Sequence, residues 1–465
     1  MNYRNDKVED LKLAYIGGGS RGWAWTFMTD LALEEKLSGT ICLYDKDIHA
    51  AKSNELIGNR LKDAAGVCGK WNYTTASSLE EALTGADFIV ISILPGTFDE
   101  MESDVHLPER VGIYQSVGDT AGPGGMVRAV RTIPMFIEIA EAIKKYAPKA
   151  WVINYTNPMS LCIKTLYHIF PEIKAFGCCH EVFGTQKLLK HIAEDSLELK
   201  DIKREDIHVN VLGINHFTWF DQASYKGIDL FPVYQDYIKA HFEEGYHEND
   251  NNWANSSFDC CHRVKFDLFI KYGLIAAAGD RHLAEFMPGD QYLKDPETVT
   301  SWKFALTPVS WRKNDLKARL DKSSKLVAGE KVELKPSGEE GILLIKALCG
   351  LERVISNVNI PNKDKQITNL RTADIVETNA VFERDSIRPV IAGALPENIL
   401  QLILPHLDNH ETVLKAATTY DRALLVKAFK NDPLVKGRVS DKEVEQLVDD
   451  MIENTMGYLP EGWKR

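Results

Sequence analysis

Three short segments concentrate side chains that can bind a metal ion or a sugar. Cys179 and His180 lie in the first, His216 in the second and Asn157 in the third, and the segments are Gly177–Val182, Gly213–His216 and Asn154–Met159. Each follows an apolar run that predicts a β-strand, and open α/β sheets place ligands at the carboxyl ends of their strands. A Cys179 thiolate and a His216 imidazole could hold a divalent ion there. Without a metal, the same two side chains would be a buried thiol and a buried core imidazole.

Amide groups in the third segment could orient a polyol. Asn154 and Asn157 each offer hydrogen-bond donors and an acceptor. The alternative for Asn157 is a capping role, since Asn followed by Pro is typical of a helix start. A turn-rich loop, Asp119–Gly125, leads into Arg128, and its glycines allow close backbone approach. The loop is either a connector or, as loops near strand ends often are, functional.

A glycine-rich turn near the amino terminus predicts a dinucleotide site. An apolar run ending at Ile16 leads into glycines and then a helical pattern, so the backbone can approach a pyrophosphate at a helix start. Asp45 ends the next predicted strand, where an acidic residue binds the adenosine ribose and favours NAD over NADP. Lys46 weakens that discrimination, and a plain strand-to-helix turn is the alternative. The predicted cofactor-binding residues are Gly17, Gly18, Gly19, Ser20, Arg21 and Asp45.

The elements that position these residues alternate between strands and helices in the first half of the chain. Such alternation predicts an α/β fold with a Rossmann-like, doubly wound parallel sheet. Predicted strands are Leu11–Ile16, Thr40–Tyr44, Asp87–Ile93, Ala150–Asn154 and Lys174–Cys178, and predicted helices are Arg21–Lys36, Asp47–Ala65 and Met126–Tyr146.

The second half reads as a mixed α+β lobe. Its predicted strands are His208–Gly213 and Trp219–Ser224, and its predicted helices are Ala254–Tyr272, Ile342–Ile355 and Asn398–Lys427. A loop is expected over Asp321–Glu340. The polar stretch Asp195–Asp206 suggests a division into residues 1–200, the NAD-binding domain, and residues 201–465, a domain for catalysis, substrate binding and oligomerisation.

Composition excludes several classes of protein. The 465 residues carry a net charge of −12, which opposes binding to nucleic acid. No apolar run reaches the roughly 18 residues of a membrane span, and the first residues show no signal-peptide pattern. The 8 cysteines form no regular framework. We therefore expect a cytoplasmic protein with reduced thiols and no membrane partner.

Taken together, the motifs resemble glycoside hydrolase family 4. The matching segments are Ile16–Ser20, Asp119–Arg128, Asn154–Met159, Gly177–Val182, Gly213–His216 and Asp385–Leu395. The resemblance implies a fold of the lactate/malate dehydrogenase-like superfamily, with NAD, a divalent metal (commonly manganese) and a homodimer or homotetramer. It also implies that Cys179 and His216 are metal ligands and that Asn157 contacts the sugar. His180 is similar to the residue found in branches that act on non-phosphorylated α-glycosides.

The tetrad Cys179–Val182 resembles that of the α-galacturonidase branch, with Glu181 at its third position. An α-glucuronidase or α-galactosidase of the same family is the alternative. A 2-hydroxy-acid dehydrogenase, or an NAD-binding regulatory protein without turnover, would not require Cys179, His216 and the Asp119–Gly125 loop. Within the family, NAD⁺ oxidises C3 of the sugar, a base removes the C2 proton, the aglycone leaves, water adds and the hydride returns, an exception to the usual two-carboxylate chemistry.

Roles for the remaining residues follow from the resemblance and from charge. The base is expected at Asp280, with Tyr272 as the alternative, while a helix-capping role for Asp280 is the structural reading. His180 is a candidate acid, and Cys179 belongs to the same catalytic group. A uronate needs a cation, for which bidentate arginine is suited. The predicted substrate-binding residues are Asn154, Asn157, Asp119, Arg281 with His282, and Arg128, with Arg384 as a further candidate cation.

Overall fold

The structure is a computed structural model that describes residues 1–247, 253–254 and 256–464. In the first half, the strands are β1 (Asn2–Arg4), β2 (Lys7–Ile16), β3 (Leu37–Tyr44), β4 (Lys70–Thr75), β5 (Phe88–Ile91), β6 (Trp151–Asn154) and β7 (Lys174–Gly177). The helices are α1 (Trp23–Ala32), α2 (Ile48–Leu61), α3 (Leu79–Leu83), α4 (Phe98–His106), α5 (Gly122–Tyr146), α6 (Met159–Ile169) and α7 (Glu181–Ser196).

In the second half, the strands are β8 (Ile207–Ile214), β9 (Phe217–Tyr225), β10 (Ile228–Asp229), β11 (Ile275–Ala276), β12 (Val354–Pro361), β13 (Ile375–Glu383) and β14 (Ser386–Pro389). The helices are α8 (Leu230–His241), α9 (Arg263–Tyr272), α10 (Asp280–Phe286), α11 (Gly289–Tyr292), α12 (Pro296–Ser301), α13 (Val309–Ala328), α14 (Gly341–Leu348), α15 (Glu397–Thr419), α16 (Arg422–Asn431) and α17 (Asp441–Asn454).

The main sheet contains ten strands within the described residues, in the order β14-β13-β12-β7-β6-β5-β2-β3-β4, with β1 paired to β2. The pairs from β4 to β7 are parallel, and the order is that of a doubly wound nucleotide-binding sheet. This confirms the predicted α/β class. β5 is buried along its whole length, as expected of a parallel strand covered by helices on both faces.

Three antiparallel strands from the second half, β12, β13 and β14, extend the same sheet beyond β7. The two parts of the chain on either side of residue 200 therefore share one sheet. A second, antiparallel sheet joins β8, β9, β10 and β11. The largest apolar cluster packs this sheet and the carboxyl-terminal helices against α5. No helix among the described residues is both long enough and apolar enough to span a bilayer.

Several sequence predictions for the second half are wrong. Part of the loop expected over Asp321–Glu340 belongs to α13, because its lysine-, leucine- and alanine-rich sequence has high helix propensity. The helix expected over Ile342–Ile355 ends at Leu348, and β12 begins at Val354. The helix expected over Asn398–Lys427 is interrupted at Tyr420, which is left-handed. The helix expected from Ala254 begins at Arg263, and residue 255 lies outside the described residues.

Candidate active site at the carboxyl ends of the parallel strands

The glycine-rich turn after β2 has room for backbone only. Gly17 has a φ of +92°, and a Cβ there would lie 1.9 Å from the carbonyl oxygen of Ser92. A Cβ on Gly18 would lie 2.8 Å from that of Leu43, and one on Gly19 would lie 2.8 Å from Asp45 Oδ2. The turn therefore keeps a surface free of side chains before α1, as close approach of a pyrophosphate requires.

Asp45 lies just beyond β3 and holds this turn. Its Oδ2 accepts the Gly19 N–H at 2.8 Å and its Oδ1 accepts the Asp47 N–H at 2.9 Å. Each carboxylate oxygen keeps a lone pair for a ribose hydroxyl. The Nε of Arg21 is buried without a partner among the described residues. The six predicted cofactor residues thus lie around one turn, and that turn fits a dinucleotide.

His216 is held in a defined orientation by the Asp119–Gly125 loop. It lies in the turn between β8 and β9 with a φ of +63°. The Thr120 hydroxyl donates to Asp119 Oδ1 at 2.8 Å, so its oxygen can accept the Nδ1–H of His216 at 3.1 Å. Burial, together with the charge of His282, lowers the pKa of His216 and keeps it neutral. Nε2 therefore carries the free lone pair, which is the atom a metal ion would bind.

Glu377 on β13 connects both predicted metal ligands. Asn357 donates to its Oε1 at 2.6 Å and to the carbonyl oxygen of Cys179 at 3.0 Å. Asn215, the neighbour of His216, donates to Glu377 Oε2 at 3.2 Å. Burial raises the pKa of Glu377 to about 7. One buried carboxylate therefore fixes the ends of β7 and β8 relative to each other.

The side chains around this pair fit a divalent ion and a polyol. Burial and the nearby charges of Glu377 and Glu181 raise the pKa of the Cys179 thiol, and a bound cation would favour its thiolate. Asn157 Oδ1, Asn215 Oδ1 and His282 Nδ1 are buried and have no hydrogen-bond partner among the described residues. Buried polar atoms are normally paired, so these three fit a polar ligand.

Glu181 joins the start of α7 to the segment before α10. Its Oε2 accepts the Gly279 N–H at 2.7 Å, and its Oε1 lies 3.6 Å from His282 Nε2. Burial alone would raise its pKa, but the charges of His282, His216 and His180 outweigh burial and lower it to about 2. The carboxylate is therefore used within the protein, and it brings His282 beside His216 with ring centroids 3.9 Å apart.

His180 lies at the open side of the site. Its side chain is 53% exposed, and Nδ1 lies 3.0 Å from Glu339 Oε1. The hydrogen bond to Glu339 raises its pKa. Trp23, whose ring lies 6.3 Å from that of His180, stacks on Tyr155 beside it. The position suits a proton donor to a departing group, and that role of His180 stays a prediction.

Asp280 occupies the capping position, contrary to its expected role as a base. Its side chain is fully buried, and its two oxygens accept the N–H groups of Val264 and Lys265, both at 3.1 Å. These groups belong to the first turn of α9, so the carboxylate caps that helix. Burial raises the pKa of Asp280 to about 6. Tyr272, the alternative, ends the same helix about 15 Å away.

Within the described residues, three donors that could hold a metal gather around Asp280 and not around the predicted pair. Atoms of Cys260, His262 and Asp280 lie within 4.8 Å of one another. The buried Lys265 ammonium lies 3.3 Å from His262 Nδ1 and hydrogen-bonds to Thr185. That positive charge opposes a cation, so this cluster is structural.

Two further predicted substrate residues are engaged by the protein itself. Arg281 donates to the carbonyl oxygens of Ala305 and Ser116 and to Thr307. Asn154 has no exposed surface, and both ends of its amide bond to the backbone of Thr156. Both side chains are correctly placed near the site, but they support loops and leave no group for a sugar.

The remaining candidate cations divide between the site and the opposite edge. Arg128 lies in the site, where its Nε donates to the carbonyl oxygen of Asn157 and its charge lowers the pKa of Asp119 against the effect of burial. Arg384 lies over the ring of Tyr3 in β1, at the amino-terminal edge of the sheet. Arg384 is therefore excluded.

Comparison with known proteins identifies the family. Residues 12–194 match the family 4 glycosyl hydrolase model, and residues 211–435 match the family 4 glycosyl hydrolase C-terminal domain. The chain belongs to glycosyl hydrolase family 4. It is 69% identical over its full length, and over the full length of the relative, to a protein of Lachnoclostridium phytofermentans named α-galacturonidase. A protein of Thermoanaerobacterium saccharolyticum with the same name is 59% identical over 100% of this chain and 99% of its own.

Solved structures agree with this family 4 assignment. The structure of lplD from Bacillus subtilis has a TM-score of 0.91 and 52% identity, and covers 96% of this chain and 100% of its own. A 6-phospho-α-glucosidase from gut microorganisms, solved with NAD and glucose-6-phosphate, has a TM-score of 0.79 at 21% identity, over 97% of this chain and 99% of its own. The second likeness shows the fold alone.

The sequence analysis missed four residues that shape this family 4 site. Thr120 lay within a recognised loop, and its position between Asp119 and a histidine turn was the available signal. Glu377, Trp23 and Arg312 belong to no motif. Their roles depend on contacts between distant parts of the chain, such as the bond between Asn215 and Glu377, which are 162 residues apart.

Proposed function

We propose that this enzyme is an α-galacturonidase that uses NAD and a divalent metal ion, probably best supplied as Mn²⁺ in assays. Support for the substrate comes from full-length identities of 51–69% to proteins named α-galacturonidase. Support for the chemistry comes from one observation above the others: the Thr120 contact leaves Nε2 of His216 free beside the Cys179 segment. The same proposal includes a cytoplasmic homodimer or homotetramer.

The chain's own residues would each have a defined task. NAD supplies a hydride acceptor and donor, and the metal ion supplies a Lewis acid for sugar oxygens. Cys179 and His216 would hold the ion. Asn157, whose Oδ1 is unpartnered, would accept a hydroxyl hydrogen of the sugar. His180, exposed at the mouth, would pass a proton to the departing oxygen.

A substrate panel tests the proposal. Purified protein with NAD⁺, Mn²⁺ and a reductant is assayed on nitrophenyl α-galacturonide, α-glucuronide, α-galactoside and α-glucoside. We expect cleavage of the galacturonide without net NADH accumulation, and loss of cleavage with a chelator or in Cys179→Ser. Cleavage of the galactoside with neither uronide cleaved would contradict the substrate. Activity that survives both the chelator and Cys179→Ser would contradict the metal chemistry.

A further inference from the structure

Arg312 stands out among the buried arginines because it has no protein partner. Arg131 forms a two-point ion pair with Asp104, and Arg281 is bonded to three oxygens. Arg312 Nε, in contrast, is buried with no hydrogen-bond partner in the described part of the chain. A partly buried, unpaired cation is costly, so its persistence calls for a ligand.

The first turn of α13 carries Arg312 to the site. Val309 packs against Met101 and Val105 of α4, the helix that follows β5. Lys313, the next residue, forms ion pairs with Asp99 and Glu102 of the same helix. These contacts fix the start of α13 near the carboxyl ends of the parallel strands.

The charges that act on Arg312 are those of the site itself. Burial lowers its pKa, and Asp119 is the carboxylate that opposes this most strongly, with Arg128 adding repulsion. Asp119 in turn bonds Thr120, the partner of His216. Arg312 therefore lies one residue further out than the group that orients the predicted metal ligand.

Phe258 constrains the guanidinium of Arg312. The Arg312 guanidinium carbon lies 4.8 Å from the Phe258 ring centroid, and that of Arg281 lies 5.1 Å from it. A flat aromatic face limits the directions in which a guanidinium can tilt, which suits two-point recognition of a planar anion.

We propose that Arg312 binds the C6 carboxylate of the sugar and thereby selects a uronide over a neutral galactoside. This inference rests on the proposed function. Arg281 and the Nε of Arg128 already serve protein oxygens, whereas Arg312 is free to form a bidentate pair. The carboxylate supplies the partner that the protein lacks.

Kinetics of Arg312→Gln test the assignment against a matched neighbour. We expect kcat/KM for nitrophenyl α-galacturonide to fall about 10- to 150-fold, as for loss of a charged hydrogen bond, while the low rate on the α-galactoside stays unchanged. Arg312→Lys should recover part of the loss, because it keeps the charge without the fork. Lys313→Gln removes an adjacent cation that is already paired and should change neither rate.

Binding gives a second readout that does not depend on turnover. Calorimetry of the NAD- and Mn²⁺-loaded enzyme is performed with D-galacturonate and D-galactose, after thermal melting has shown that each variant is folded. Arg312→Gln should weaken galacturonate binding at least 10-fold and leave galactose binding unchanged. Equal galacturonate affinity in the wild type and Arg312→Gln would overturn the inference.

The outcomes separate the two proposals. If the wild type cleaves the galacturonide and Arg312→Gln cleaves it equally well, only the role of Arg312 is wrong. If the wild type neither cleaves nor binds the uronide, the proposed function is wrong. If a 6-phosphogalactoside is preferred and Arg312→Gln loses that activity, the anion is a phosphate and both proposals are wrong.

Discussion

Replacing Thr120 with valine removes one oxygen that serves two groups. The side chain keeps its volume, but Asp119 loses a donor at 2.8 Å and His216 Nδ1 loses an acceptor at 3.1 Å. His216 is 5% exposed, so its N–H would be left largely out of water. An unsatisfied buried donor costs about 1–3 kcal/mol, and loss of the partner of a metal-bound histidine typically weakens metal binding about 10- to 100-fold.

We therefore expect the dissociation constant for Mn²⁺ to rise about 10- to 100-fold in Thr120→Val, equivalent to about 1.4–2.7 kcal/mol. Titration of free Mn²⁺ by electron paramagnetic resonance measures it directly, and saturating Mn²⁺ should restore most of kcat. NAD affinity, followed by fluorescence, should stay unchanged. Thr120→Ser keeps the hydroxyl and should bind Mn²⁺ like the wild type.

Thr165→Val is the matched control for Thr120→Val. Thr165 is also buried, and its hydroxyl donates only to the carbonyl oxygen of Leu161 within α6. This variant should lose stability without a change in Mn²⁺ affinity. If Thr120→Val binds Mn²⁺ as tightly as the wild type, the proposed orientation of His216 is refuted.

Three other perturbations test separate parts of the structure. Asp280→Asn should lower the free energy of unfolding by about 1–3 kcal/mol with kcat within a few-fold of wild type, as expected of a helix cap; a fall in kcat of about 1,000-fold or more with unchanged melting would instead identify a base. Gly19→Ala should raise the dissociation constant for NAD, measured by fluorescence, because its Cβ would lie 2.8 Å from Asp45 Oδ2; unchanged affinity would contradict the close-approach argument. Burial raises the pKa of Asp432 to about 7 from 3.8, so the folded state binds its proton more tightly and this contribution to stability is lost as pH rises from about 4 to 7. Asp432→Asn should therefore gain stability relative to wild type by up to about 1.4 kcal/mol per pH unit over that range, and a pH-independent difference in denaturant titrations would contradict the assignment.

The parallel half of the fold was predictable because its strands are buried on both faces. β5 and β6 read as short apolar runs, and the turn after β2 has the glycines that its geometry requires. β12 was missed because Asn357 and Asn359 interrupt its apolar pattern. Both asparagines are buried. The bond from Asn357 to Glu377 shows why a buried strand position can be polar.

The same limit applies to the site. Motifs located Cys179, His216 and the Asp119–Gly125 loop, because short segments carry most of the signal. They could not distinguish a side chain that faces a ligand from one that supports a loop, which is why Asp280, Arg281 and Asn154 were assigned to the substrate. That distinction depends on long-range partners, such as the contact of Thr120 with His216, 96 residues away.

The carboxylate of Glu377 has a consequence for protein engineering. It holds the carbonyl of Cys179 through Asn357 and the neighbour of His216 through Asn215, so the ligands of one half depend on a strand from the other. A chimera that joined residues 1–200 of this enzyme to the second half of a distant relative could fold and still misplace both ligands. Exchange of modules within this family therefore requires that the acid on β13 and its two asparagines be transferred as a set.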